Sequence, residues 1–142
     1  MVTLPLTVLL DADVLIDVAL GRARHAEPAG ALLAWLEGRS GTAYVAWHTV
    51  SNFYYPLAPV RGGRPTREFV LELALFVEVA PTTTESLRAA AALDLRDFED
   101  AMQVAAAQAC GAEVIATRNV RDYVRSPARA ATPRSLLAER GS

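Results

Sequence analysis

The sequence predicts an α/β fold, a mainly parallel sheet covered by helices on both faces. Short β-branched or leucine-rich runs such as Thr7–Leu10 and Glu113–Thr117 alternate with longer segments of helical periodicity. The runs are apolar almost throughout, which suits strands buried on both sides. The breaks between them carry the right residues: Gly21, Gly38 and Gly111 follow helical segments, and Pro81 follows a strand-like one.

Taken in order, the strand Thr7–Leu10 ends in Asp11-Ala12-Asp13, and a helix over Val14–Leu20 runs to Gly21. Asp13 is a natural N-cap for that helix, and Asp17 reads as a solvated or locally bonded residue within it. Pro28 suits an early helical position, and Ala31, Leu32, Trp35 and Leu36 share one face before Gly38. Thr42–Ala46 is a second strand. An aromatic-rich helix from Trp47 to Tyr55 is closed by Pro56 and Pro59, and Arg61-Gly-Gly-Arg-Pro65 reads as a loop. Thr66 then caps a helix whose Phe69, Leu73 and Phe76 share a face. Val77–Ala80 is a third strand and Thr84–Leu93 a helix. Phe98–Ala109 is an alanine-rich helix that Gly111 stops, and Glu113–Thr117 is the fourth strand. Arg118–Tyr123 forms a turn, and Thr132-Pro133 opens a last helix through Arg140. With no repeat or linker, residues 1–142 read as a single domain.

Composition narrows the function. Fifty-two per cent of the 142 residues are hydrophobic, enough for an ordinary core without disulfides. The net charge of −2 excludes a globally basic nucleic-acid coat. All 14 basic residues are arginine, which removes mechanisms that need a Schiff-base, P-loop or receiver-type lysine. The single cysteine, Cys110, reads as a small buried hydrophobe near a helix end. Met1 to Leu10 has no basic n-region and reads as the first strand, and no apolar run is long enough for a membrane span, so a cytoplasmic location is expected.

In an open parallel sheet, ligands collect beyond the carboxyl ends of the strands. The first strand delivers Asp11 and Asp13 there. The fourth delivers Thr117, Arg118 and Asn119, with Asp122 three residues on. Asp97 and Asp100 share one side of the start of the alanine-rich helix, and Asn52 lies on the helix after the second strand. Singly, each has a plain explanation as a cap, turn or first-turn acid. Together, several converging carboxylates repel unless protonated or neutralised, and a hard divalent cation such as Mg²⁺ or Mn²⁺ suits carboxylate, amide and water ligands. Neither His25 nor His48 has a partner at zinc-site spacing.

Three blocks of the chain resemble the PIN-domain family, which includes VapC-type toxins of bacterial toxin–antitoxin pairs. Val8-Leu-Leu-Asp11-Ala-Asp13-Val-Leu-Ile-Asp17 is similar to its opening strand and helix. Asp97-Phe-Glu-Asp100, followed by an alanine-rich run, is similar to its central helix, and Thr117-Arg-Asn119-Val-Arg-Asp122-Tyr123 to its Thr-Arg-Asn/Asp-x-x-Asp-Phe segment. The resemblance implies a three-layer α/β/α sandwich with a mainly parallel sheet of about five strands. It also implies a ribonuclease that cuts RNA phosphodiesters with Mg²⁺- or Mn²⁺-activated water. Asp11, Asp100, Asp122 and Asn119 map onto the catalytic positions, and Asp11, Asp97, Asp100 and Asp122 onto the metal positions. Thr117, Asn52 and Asp13 would support them. Arg118, with the loop residues Arg61 and Arg64, would meet RNA phosphates. The chain departs from the family at two places: Asn52 stands where a Glu is usual, and Asn119 where many members have Asp.

The resemblance further implies an antitoxin partner and a homodimer, for which Tyr54 and Tyr55 on the aromatic helix are the expected centre. Two alternatives stay open. One is a PIN-like RNA- or protein-binding module whose catalysis is weakened by Asn52 and Asn119. The other is a haloacid-dehalogenase-type phosphatase with Asp11 as nucleophile and Asp13 as general acid. Against the latter, Asp97–Asp100 opens a helix and does not end a strand.

Overall fold

The computed structural model describes residues 6–39 and 42–140. Met1 to Pro5, read above as the start of the first strand region, lie outside the described residues. Within the described residues, five parallel strands form one sheet: β1 (Val8–Leu10), β2 (Ala43–Val45), β3 (Val77–Val79), β4 (Val114–Ala116) and β5 (Ala130–Ala131). Their order is β3-β2-β1-β4-β5, which puts the first strand in the middle. Register is set by pairs such as Leu9 with Ile115 and Val8 with Ala43.

Among the described residues, seven helices cover the two faces: α1 (Ala12–Leu20), α2 (Ala26–Glu37), α3 (Trp47–Arg61), α4 (Gly63–Leu73), α5 (Thr84–Ala92), α6 (Phe98–Cys110) and α7 (Pro133–Arg140). Alternation along β1 divides the core between them. Val8 and Leu10 pack with Val14, Leu32, Leu36, Phe53 and Leu136 from α1, α2, α3 and α7. Leu9 points the other way, onto Val104, Ala106 and Ala107 of α6 and onto Ile115. Each such fully buried side chain contributes about 2 kcal/mol. The alanines let α6 lie close to the sheet, while Ala101 and Ala105 on its outer side receive Ala90 of α5.

Several elements differ from the sequence-based expectations. Asp11, not Asp13, is the N-cap of α1, so the helix starts two residues early and Asp13 occupies its first turn. Asp17 is not solvated but 1 % exposed. On α2, Ala29, Leu32, Leu33 and Leu36 are buried, whereas Ala31 is exposed. Helix α3 does not stop at Pro56 but continues through Pro59 to Arg61. Each proline removes one intrahelical bond, to the carbonyls of Asn52 and Tyr55. Both rings are exposed, so solvent can reach those carbonyls, while buried Phe53 and Leu57 hold the helix to the core.

The expected loop shrinks to a break at Gly62, whose φ of +95° ends α3. Helix α4 begins at the next residue, so Thr66 lies inside it, donating its hydroxyl to the Gly62 carbonyl at 2.8 Å and not capping the helix. The two-alanine strand β5 carries too little pattern to be seen in sequence. The alanine-rich helix behaves as expected, with Asp97 as N-cap and Gly111 (φ +68°) closing it.

Candidate active site

Beyond the carboxyl ends of β1 and β4 opens a cleft of about 410 Å³. It is lined by Asp11, Asp13, Asp97, Glu99, Asp100 and Asp122, with Asn52, Asn119, Ile16 and Arg22. Six carboxylates thus face one guanidinium, and they arrive from four places: the end of β1 and start of α1, the start of α6, and the 3-10 turn Val120–Tyr123 after β4.

The parallel ladder fixes Asp11, whose N–H donates to the Ala116 carbonyl of β4 at 3.0 Å. Its Oδ1 accepts the Ala12 N–H at 2.8 Å. Its Oδ2 takes the Thr117 hydroxyl at 2.9 Å and the Tyr123 hydroxyl at 3.3 Å. Thr117 is fully buried, and its single hydroxyl proton lies between Asp11 and Asp13, whose Oδ2 is 3.2 Å away. Asp13 Oδ2 also accepts the Arg118 N–H at 3.0 Å and the Asn119 side-chain amide at 3.2 Å. Its Oδ1 is buried with no protein partner. On the facing helix, Asp97 Oδ1 accepts the Glu99 and Asp100 N–H groups at 2.8 and 3.3 Å.

The electrostatics follow from that crowding. Burial, then the charge of Asp11, pushes the Asp13 carboxyl up to about 6, with the Arg118 N–H and Thr117 partly offsetting the rise. Asp100 is also raised to about 6, first by burial and then by Asp97, Asp122, Asp11 and Glu99. Burial and the nearby carboxylates raise the Tyr123 phenol, so it remains a hydrogen-bond donor to Asp11.

Of the residues expected at the site, Asp11, Asp13, Asp97, Asp100, Asn119, Asp122 and Asn52 line this cleft, and Thr117 braces two of them. The three arginines expected to meet RNA do not line it. Arg118 turns away from it, its buried Nε 2.7 Å from Oδ2 of the buried Asp17. Arg61 lies 5.6 Å over the Phe69 ring and near the Ala19 carbonyl at 3.4 Å, and Arg64 is exposed in the first turn of α4. Glu99, Arg22 and Tyr123 had not been picked out as site residues. Glu99 and Tyr123 adjoin residues that were, whereas nothing near Arg22 in the sequence marks it.

The donor set is all hard oxygen, and an unpaired buried carboxylate oxygen on Asp13 adds to it. Both fit a divalent cation chemically. Among the described residues, however, no three acidic, histidine or cysteine side chains close into a ready-made ligand group.

An all-parallel sheet with a carboxylate-lined cleft at its carboxyl edge defines an α/β/α protein with an acidic site. The chain belongs to the PIN domain family, whose model matches residues 7–121. Solved structures share its fold at low identity. The VapBC2 complex of Rickettsia felis, bound to a promoter DNA fragment, aligns with a TM-score of 0.71 and 10% identity over 89% of this chain and 98% of that one. VapC20 of Mycobacterium tuberculosis, a sarcin-ricin loop cleaving toxin, gives 0.60 and 19% over 77% and 87%. FitAcB from Neisseria gonorrhoeae gives 0.57 and 19% over 89% and 98%. Among curated proteins, none matches significantly.

Proposed function

We propose that this protein is a metal-dependent endoribonuclease, the toxin of a toxin–antitoxin pair, acting in the cytoplasm. The observation that carries this reading is the convergence of six carboxylates, opposed by one arginine, in one cleft. Family membership supports it, as do structural neighbours that include an RNA-cleaving toxin and toxin–antitoxin complexes. Among the described residues no helix is long and apolar enough to cross a membrane.

In this reading Asp11, Asp97, Asp100 and Asp122 hold Mg²⁺ or Mn²⁺. When bound, the cation supplies Lewis acidity and offsets the charge of the scissile phosphate and the carboxylates. The chain's own residues prepare the rest. Thr117 and Tyr123 fix the Asp11 carboxylate, and Thr117 also receives the Asn119 N–H at 3.0 Å. The amides of Asn119 and Asn52 orient water or a phosphate oxygen, and Arg22 meets phosphate at the rim. Cleavage leaves 5′-phosphate and 3′-hydroxyl ends.

With Mn²⁺ the wild type cuts RNA, and Asp11→Ala lowers the rate by about a hundredfold or more. A wild type inert under these conditions favours the second reading, a binding module, which the neutral amides of Asn52 and Asn119 in the cleft make specific.

The proposal includes a homodimer through α3, where Trp47 and Tyr55 are 70 % and 71 % exposed and Tyr55 stacks edge-on against Tyr54 at 5.2 Å. Light scattering is expected to give twice the 15.2 kDa chain mass. Tyr55→Glu is expected to return the monomer, and a wild-type monomer at high concentration would reject the assembly.

A further inference from the structure

We propose that a second pocket beside the acidic cleft, lined by Arg24, His25, Arg118 and Arg134, is a phosphate subsite. It takes a backbone phosphodiester of the single-stranded RNA whose scissile linkage lies in the cleft, and in this it rests on the nuclease reading above.

The pocket holds about 360 Å³ and carries three guanidinium groups against one carboxylate, that of Asp17. That carboxylate is already committed, 2.7 Å from Arg118 Nε and 3.5 Å from Arg22 Nη1. Among the described residues, Arg24 and Arg134 enter no ion pair at all. Arg118 meets Asp17 through Nε, which leaves the terminal nitrogens of its fork for a ligand. Arginine forks match phosphate oxygens two at a time.

Position supports the same occupant. Asp17 joins the two sites: one of its arginines, Arg22, lines the acidic cleft, and the other, Arg118, precedes Asn119, which also lines it. A strand threading the cleft therefore passes the basic pocket directly. It needs to, because six carboxylates repel phosphate and a net charge of −2 gives no general attraction. The backbone adds an independent observation. Arg24 has a φ of +74°, a left-handed conformation that glycine holds without strain, yet the position carries a cation.

The test is the salt dependence of binding for a labelled single-stranded oligoribonucleotide of about twelve nucleotides. It is measured in EDTA so that the RNA stays intact. Arg24→Gly and Arg134→Ala each lower the slope of log K against log salt by about 0.7, and the double variant by about 1.4. Arg24→Gly relieves the left-handed backbone, so its melting temperature does not fall and the charge effect is separated from unfolding. Arg88→Ala, an exposed site on α5, leaves the slope unchanged. With Mn²⁺ the pocket variants raise KM and preserve kcat. Unchanged slopes, no wild-type binding at low salt, or tighter binding of polyglutamate than of RNA would overturn the subsite. If wild type cuts RNA while the slopes stay flat, the subsite falls and the nuclease reading stands. If the slopes drop as expected but wild type cuts nothing, the phosphate pocket stands and the nuclease reading falls.

Discussion

Asp13 and Asp17 stand four residues apart on α1, and the fold treats the two carboxylates in opposite ways. Asp17 is sealed from solvent and answered by Arg118 and Arg22. Asp13 opens on the acidic cleft, has hydrogen bonds on one oxygen and none on the other, and is pushed up to about 6 by burial and by Asp11. A charge matched within the protein holds structure together. A charge left unmatched lowers stability and is available to a ligand.

The sharpest break of this comparison is to neutralise each aspartate in turn. Asp17→Asn strands two arginines that are themselves partly exposed, Arg118 at 31 %, and so costs about 2 to 3 kcal/mol in urea unfolding. Asp13→Asn goes the other way, raising stability by roughly 1 kcal/mol at pH 7, because a repelled charge disappears. Equal losses from both substitutions would erase the distinction.

Acid should sharpen it. Asp13 and Asp100 have folded-state pKa values raised to about 6, above the ordinary value of 3.8. Between these limits the folded protein binds more protons than the unfolded one, so the stability they give is full below about pH 4 and is lost as pH rises through about 6. Metal-free protein is therefore expected to melt higher at pH 5 than at pH 7, and Asp100→Asn to flatten that difference. Millimolar Mn²⁺ at pH 7 raises the melting temperature by mass action, replacing the protons. A pH-independent, metal-insensitive melt would show that the cleft carries no stored repulsion.

The smallest effect is expected from Asn52→Glu, which adds a seventh carboxylate to the cleft. It tightens Mn²⁺ binding by calorimetry and slightly lowers the metal-free melting temperature. Lower stability with no gain in affinity would mean that Asn52 does not reach the ion.

Much of the cleft was legible because its residues sit at element boundaries. Asp11 ends an apolar run, Asp97 precedes an alanine-rich helix, and Thr117-Arg118-Asn119 leaves β4; such boundaries show in local pattern. The Asp17 pairing was not legible, since its partner Arg118 lies far along the chain and no periodicity connects them. For the same reason the sequence could offer Arg118 as a contact to RNA phosphate but not show that its Nε turns to Asp17. The passage of α3 through Pro56 and Pro59 was hidden too, because local propensity argues for a stop there and only the burial of Phe53 and Leu57 overrides it. The opening of α1 was misplaced by two residues because both Asp11 and Asp13 are good caps, and only the extended backbone at Asp11 distinguishes them.

The central place of β1 has a consequence for the protein's own synthesis. Asp11 leaves the ribosome well ahead of Thr117, whose hydroxyl fixes its carboxylate from 106 positions later. At about 5 to 20 residues per second, that is an interval of roughly 5 to 20 seconds. Throughout it β1 lacks its β4 neighbour and Asp11 lacks Thr117, Asp122 and Tyr123. The nascent chain is consequently unarmed until Thr117 and Tyr123 have emerged, and an enzyme of the kind proposed would until then be made beside messenger and ribosomal RNA without being able to cut them.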